Sequence, residues 1–233
     1  VLVNRYSASA SEIVAGAIQD YQRGIVIGQR TFCRGTVQSL KSISSGQIKI
    51  TESKYYRVDG SSTQNKGVIP DIELLSTWDI ESVGESSYPT ALEWDTVRPY
   101  RHKKFNFNSS QIDEIKGLYS KRLDTSPNLK YLSEVRERYY SNKDKKLLSL
   151  NLDTRKHEKN DRKDWLLRIE NNRRKGLGLD TFLTYEDLNE SNKNNENTNN
   201  DIDFERDYLL IESTNIINDY LNLNKKLLIS KVE

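Results

Sequence analysis

Apolar positions change their period along the chain. Val1–Val3 is a short apolar run, followed by a turn of small and polar residues over Asn4–Ser9. Ala10, Ile13, Val14, Ala17, Ile18 and Tyr21 then recur at helical spacing and define one apolar stripe. Gly24–Gly28 reads as a buried strand bracketed by glycines. Strand, helix and strand within the first 28 residues predict a βαβ unit, with parallel strands and a right-handed crossover. Gln47–Arg57 alternates loosely and predicts a further strand. Val68–Leu75, interrupted at Pro70 and preceded by the polar loop Asp59–Lys66, predicts an edge strand.

The period is lost over Ser76–Trp94, and residues 77–108 read as a linker between residues 1–76 and 109–233. Beyond Ser109 the spacing is helical. Ile112, Ile115, Leu118 and Tyr119 form one stripe, and Leu129, Leu132, Val135 and Tyr139 a second. A third helix is expected over Leu147–His157, a fourth over Trp165–Arg174 ended by Gly176, and a last over Phe204–Leu223. Arg173, Arg174 and Lys175 suit a helix C-terminus. Asn189–Asn200 holds seven Asn in twelve residues and predicts a disordered loop. The fold class is therefore α/β followed by a mainly α-helical domain.

Composition narrows the chemistry. The 233 residues carry 36 basic and 34 acidic side chains, a net charge of +2, which argues against a general nucleic-acid binder. The charge is uneven: 10 basic and 11 acidic residues over 1–100, 21 and 11 over 101–176, and 5 and 12 over 177–233. Either an acidic partner or the chain's own tail could meet the excess in the middle. No apolar run is long enough to span a bilayer. One cysteine, Cys33, excludes an internal disulfide framework, and with only His102 and His157 a Cys/His metal site is not expected. Both histidines read as solvated, and Trp78, Trp94 and Trp165 as covers over helix–core seams. The absence of methionine points to a C-terminal piece of a longer protein. Such a piece is expected to fold poorly alone, because its strand edges would be unpaired.

The candidate chemistry lies in the first forty residues. Ser7-Ala8-Ser9-Ala10-Ser11-Glu12 supports two readings. Ser9 and Glu12 match a capping box, which satisfies free amides at a helix start. Alternatively, a serine held between a buried strand and a helix N-terminus is placed as a nucleophile, where an anion is stabilised. Such a serine needs a base, and neither histidine lies in the α/β part.

The blocks Val3–Ile13 and Gly28–Gln38 resemble the active-site segment of the C-terminal processing peptidases, above all the tail-specific proteases of Gram-negative bacteria. Lys54-Tyr55-Tyr56-Arg57, Thr63–Ile72 and Leu148-Ser149-Leu150-Asn151 extend the resemblance over nearly the whole chain. It implies part of a crotonase/ClpP-like protease core, with a long helical extension. It also implies a serine peptidase that cleaves proteins near apolar C-termini without metal or cofactor. The nucleophile is then Ser9. The general base, a lysine in the family, falls 25 positions later on Arg34, and its helper falls on Gln38. Glu12, Asp20 and Thr31 occupy supporting positions.

Where the family has Gly-Lys, this chain has Cys33-Arg34. Arginine stays protonated and cannot accept the serine's proton. Cys33, with no histidine near it in sequence, reads as an inert thiol. The alternatives are a catalytically impaired scaffold that holds protein tails, or the product of a decaying gene. The resemblance further implies a periplasmic or cell-envelope location, peripheral to the inner membrane, and a lipoprotein adaptor as partner.

Overall fold

The computed structural model describes residues 1–76, 83–105, 109–196 and 207–229. It divides into two compact units, Val1–Lys116 with Ile217–Glu233, and Gly117–Ile216.

In the first unit, β1 (Leu2–Val3), α1 (Ala10–Asp20) and β2 (Ile27–Gly28) make the expected βαβ unit. Leu2 pairs with Ile27 and Val3 with Gly28, in parallel. β5 (Ile72–Glu73) adds to the other side of β2, also parallel, so the order is β1-β2-β5 and β5 is an edge. Gly28 sits at φ +124, and a Cβ there would lie 1.9 Å from the Val3 carbonyl oxygen; only glycine fits this approach. Val3, Ala15, Val26 and Val68 form the core, with Ile18 packed against it.

Of the stripe predicted for α1, Ile18 packs on the core but the first turn does not. Ile13 and Val14 are about half exposed, whereas Glu12, Ala15, Gly16 and Asp20 are buried. The reason is polar. Asp20 takes the Arg57 guanidinium with both oxygens, at 2.5 and 3.1 Å, and the Arg57 side chain lies along Gly16.

β3 (Thr36–Ile43) and β4 (Gly46–Lys54) form an antiparallel hairpin. β4 follows the predicted run, but β3 was not legible. Its apolar residues, Val37, Leu40 and Ile43, are spaced by three rather than two, and the register shifts between Val37 and Gln38.

Part of the expected linker is firmly packed. The Trp94 indole donates to the Ser62 carbonyl at 2.9 Å, and the Lys66 ammonium lies 3.1 Å from the centre of its ring. The Phe105 amide donates to the Tyr21 carbonyl at 2.8 Å. Trp78 lies outside the described residues.

His102 is not free in solvent. Its ring meets Tyr21 edge-on at 4.9 Å, with Nδ1 at 2.9 Å from the Tyr100 carbonyl and Nε2 at 2.9 Å from that of Asp20. Two carbonyl neighbours can both be satisfied only by the doubly protonated ring. These two bonds, Tyr100 first, raise its pKa above 6.5, against the opposing pull of Lys104. The protonated ring therefore stabilises the fold fully below pH 6.5, and that contribution is lost as pH rises through the raised native value. A proton NMR titration of a His157→Gln variant, which leaves one imidazole, should give a midpoint above 6.5. A midpoint at or below 6.5 would show that these bonds do not form.

The second unit is helical. α2 (Ser109–Thr125) runs into it from the first unit, and α6 (Tyr208–Ile229) runs out of it. α3 (Pro127–Lys143) starts with proline after the Ser126 cap. The two helices expected over Leu147–His157 and Trp165–Arg174 are one, α4 (Leu152–Gly176), capped by Asn151 and carrying the expected basic last turn. Arg155–Asp164 has no apolar residue, which hid the continuity. Its helical form is supported by pairs such as Arg155–Glu158 and His157–Asp161, the latter at 3.4 Å. Leu147 and Leu150 are almost fully exposed and precede the helix.

The expected Asn-rich disordered loop is also corrected. α5 (Tyr185–Glu196) covers its first two thirds. Thr184 and Asp187 cap it reciprocally, at 2.9 and 3.2 Å, and Leu188 is buried. Residues 197–200, and Phe204 at the expected start of the last helix, lie outside the described residues. Among the described residues no helix is long and apolar enough to cross a membrane.

Candidate active site

Ser9 ends the turn after β1 and immediately precedes α1. Its backbone stands at φ 55 and ψ −113, in left-handed space that serine rarely adopts. A helix-capping serine ordinarily has an extended backbone, so capping alone does not account for this conformation.

Glu12, one turn later, is fully buried and organises the surroundings. Its Oε2 accepts from the Ser9 amide at 2.9 Å and the Arg34 amide at 3.0 Å. Its Oε1 accepts from the Thr31 hydroxyl at 2.6 Å and the Cys33 amide at 2.8 Å. Burial pushes the Glu12 carboxyl above its usual range, and these four bonds pull against that rise. One side chain on α1 thus holds the loop Thr31–Arg34 against the serine corner. The capping box that the hexapeptide suggested is present in its carboxylate half, widened to serve three further donors.

Arg34 is half-buried. Its Nη2 donates to Gln38 Oε1 at 2.6 Å, and Gln38 in turn donates to the Thr51 hydroxyl on the neighbouring strand at 3.2 Å. The Arg34 carbonyl accepts from Thr63 Oγ1 at 3.0 Å and from the Tyr55 hydroxyl, which also lies 3.4 Å from the Ser9 carbonyl. Burial raises the Tyr55 pKa, so the phenol stays a donor.

Ser9, Glu12, Thr31, Arg34 and Gln38 therefore fall in one connected network. Asp20 does not join it. It lies at the far end of α1, two helical turns beyond Glu12, and braces Arg57 and the His102 ring. Tyr55, Thr63 and the buried Arg5 were missed as site residues. Tyr55 and Thr63 lie in the quoted blocks Lys54–Arg57 and Thr63–Ile72, but residue type gave them no role. Arg5 donates to the Thr31 carbonyl and, at 3.2 Å, to the Cys33 sulfur.

Cys33 itself is fully buried at φ +75. A left-handed residue packed beside the thiol-facing Gly67 is a glycine conformation adopted here by a larger residue. The thiol is enclosed and unavailable as a nucleophile.

Two family descriptions match the chain in succession: Peptidase family S41 over residues 1–74, and the C-terminal domain of tail specific protease over residues 78–222. The tail-specific protease of Haemophilus influenzae is 39% identical over 176 residues, covering 70% of this chain and 25% of that protein. The carboxy-terminal-processing protease of Bartonella bacilliformis is 47% identical over 73 residues, covering 31% of this chain and 17% of that protein. The photosystem II D1 C-terminal processing protease is a solved structure, 43% identical over 32% of this chain and 19% of its own, with a TM-score of 0.30. The chain thus spans about a quarter or less of the length of these relatives.

Proposed function

Because the chain belongs to the tail-specific protease family, we propose that it supplies the nucleophile-bearing part of a serine peptidase acting near the apolar C-termini of proteins. The observation that carries this reading is the sharing of one Glu12 oxygen by the Ser9 and Arg34 amides, which draws the two backbone segments together. Ser9 attacks the scissile carbonyl, and its proton passes to the peptide nitrogen, which leaves as an amine. Water then splits the acyl-serine ester to a carboxylic acid and the restored hydroxyl. The positive end of the α1 dipole lies beside Ser9 and would favour developing negative charge there. No cofactor is invoked. The three parallel strands would belong to a crotonase/ClpP-like core, in a periplasmic protein that works with a lipoprotein adaptor.

Proton removal is the weak step. Arg34 remains a guanidinium and can orient an anion but cannot take the serine's proton. That observation favours a second reading, a scaffold that holds protein tails without cutting them. Cleavage of a substrate with an apolar C-terminal tag by the full-length protein distinguishes the two. Slow turnover that disappears in Ser9→Ala is expected. Tail binding with no Ser9-dependent cleavage would leave the scaffold reading.

A further inference from the structure

The second unit carries a groove of about 1100 Å3 that the peptidase chemistry does not use. One wall is the face of α3 that includes Tyr131, Val135 and Tyr139. The other is a face of α4 on which Arg155, Lys159, Arg162 and Leu166 follow one another at helical spacing. The segment joining the two helices contributes Lys145 and Leu148, the latter 70% exposed. Arg138 stacks on Trp165 at 4.3 Å between the walls. The two helices meet closely at the opposite end, where a Cβ on Gly176 would lie 2.6 Å from the Pro127 ring. The groove is thus a fixed feature of the pair, with an apolar and aromatic lining overlaid by charge.

Six basic side chains line it against two acids, Glu158 and Asp161. Lys145, Lys159 and Arg162 have no carboxylate partner among the described residues. The acidic C-terminal segment does not meet this charge within those residues: Glu186 pairs with Lys163 and Glu212 with Arg122, neither of which lines the groove. We propose that the groove docks an acidic amphipathic helix of a partner protein, its apolar face on Val135, Leu148 and Leu166 and its carboxylates on Lys159 and Arg162. Charge complementarity selects the acid, and the leucine and tyrosine lining selects a protein helix over a bare polyanion. Two acids in the wall also oppose nucleic acid. This inference is independent of Ser9 and of whether the peptidase turns over.

The test is fluorescence anisotropy of a labelled helical peptide, about 20 residues long, with glutamates on one face and leucines on the other. It is titrated with the full-length protein. Saturable binding is expected that weakens with salt, falls at least tenfold in the Lys159→Glu/Arg162→Glu variant, and falls again in Leu148→Ser. A matched peptide with lysine for glutamate should not bind. Both substituted proteins should keep the wild-type far-UV circular dichroism spectrum. The proposal fails if the acidic peptide does not bind, or if its affinity is unchanged by the charge reversal. It fails equally if a DNA duplex or a vesicle of anionic phospholipid binds more tightly than the peptide.

Discussion

Arg34→Lys should raise the turnover of an apolar-tailed substrate by about 10²–10⁴, the usual contribution of a positioned general base. The site already holds what a lysine would need. Gln38 Oε1 sits 2.6 Å from the present guanidinium, fixed in turn by Thr51, and would orient an ammonium or amine in the same place. The Arg34 backbone is pinned on both sides, its amide on Glu12 and its carbonyl on Thr63 and Tyr55, so the side chain can change without moving the main chain. A lysine there can lose its proton when desolvated, which arginine cannot. The gain should appear in kcat/KM with a rising alkaline limb, since only the neutral amine accepts the Ser9 proton. The parent protein should lack that limb. The double variant Ser9→Ala/Arg34→Lys should show no gain. An Arg34→Lys protein as slow as its parent, with the same flat pH profile, would sink the assignment of position 34 to proton transfer.

Local pattern carried the first part of this picture and failed where polar contacts decide the fold. The βαβ unit was legible because short apolar runs and glycines mark β1 and β2. The orientation of α1 was not, because an Asp20–Arg57 pair 37 residues apart in sequence buries the face that composition labels polar. α4 was split in two because ten consecutive polar residues leave no periodic signal, although paired charges support a helix equally well. α5 was missed because asparagine content outweighed the Thr184–Asp187 cap. At the site, Ser9, Arg34 and Gln38 were legible from resemblance to a family. Their connection was legible only in part. Glu12, which joins the Ser9 and Arg34 amides, was placed as a supporting residue. Tyr55 and Thr63, which only the folded chain brings to the Arg34 carbonyl, were not.

The same network makes Glu12 the residue whose loss should cost most. Glu12→Ala removes the acceptor for three backbone amides and one hydroxyl at a site with no solvent exposure. Each buried donor left without a partner costs about 1–3 kcal/mol, so a loss of about 4 kcal/mol or more is expected. That is a large share of the roughly 5–15 kcal/mol that holds a typical domain together. Glu12→Gln should fall between, because its amide oxygen serves two donors while its NH2 group faces the others. Ser11→Ala, on the exposed side of the same turn, should lie within about 0.5 kcal/mol of the parent. Urea denaturation of the full-length protein, followed through the transition of this unit, measures all three. The consequence for chemistry follows from the same geometry. With the shared oxygen gone, nothing on α1 holds the Cys33–Arg34 loop to the Ser9 amide, so Glu12→Ala should also erase the gain expected of Arg34→Lys. A Glu12→Ala protein within about 1 kcal/mol of the parent would mean that water or another group replaces the carboxylate, and that the site's rigidity has a different source.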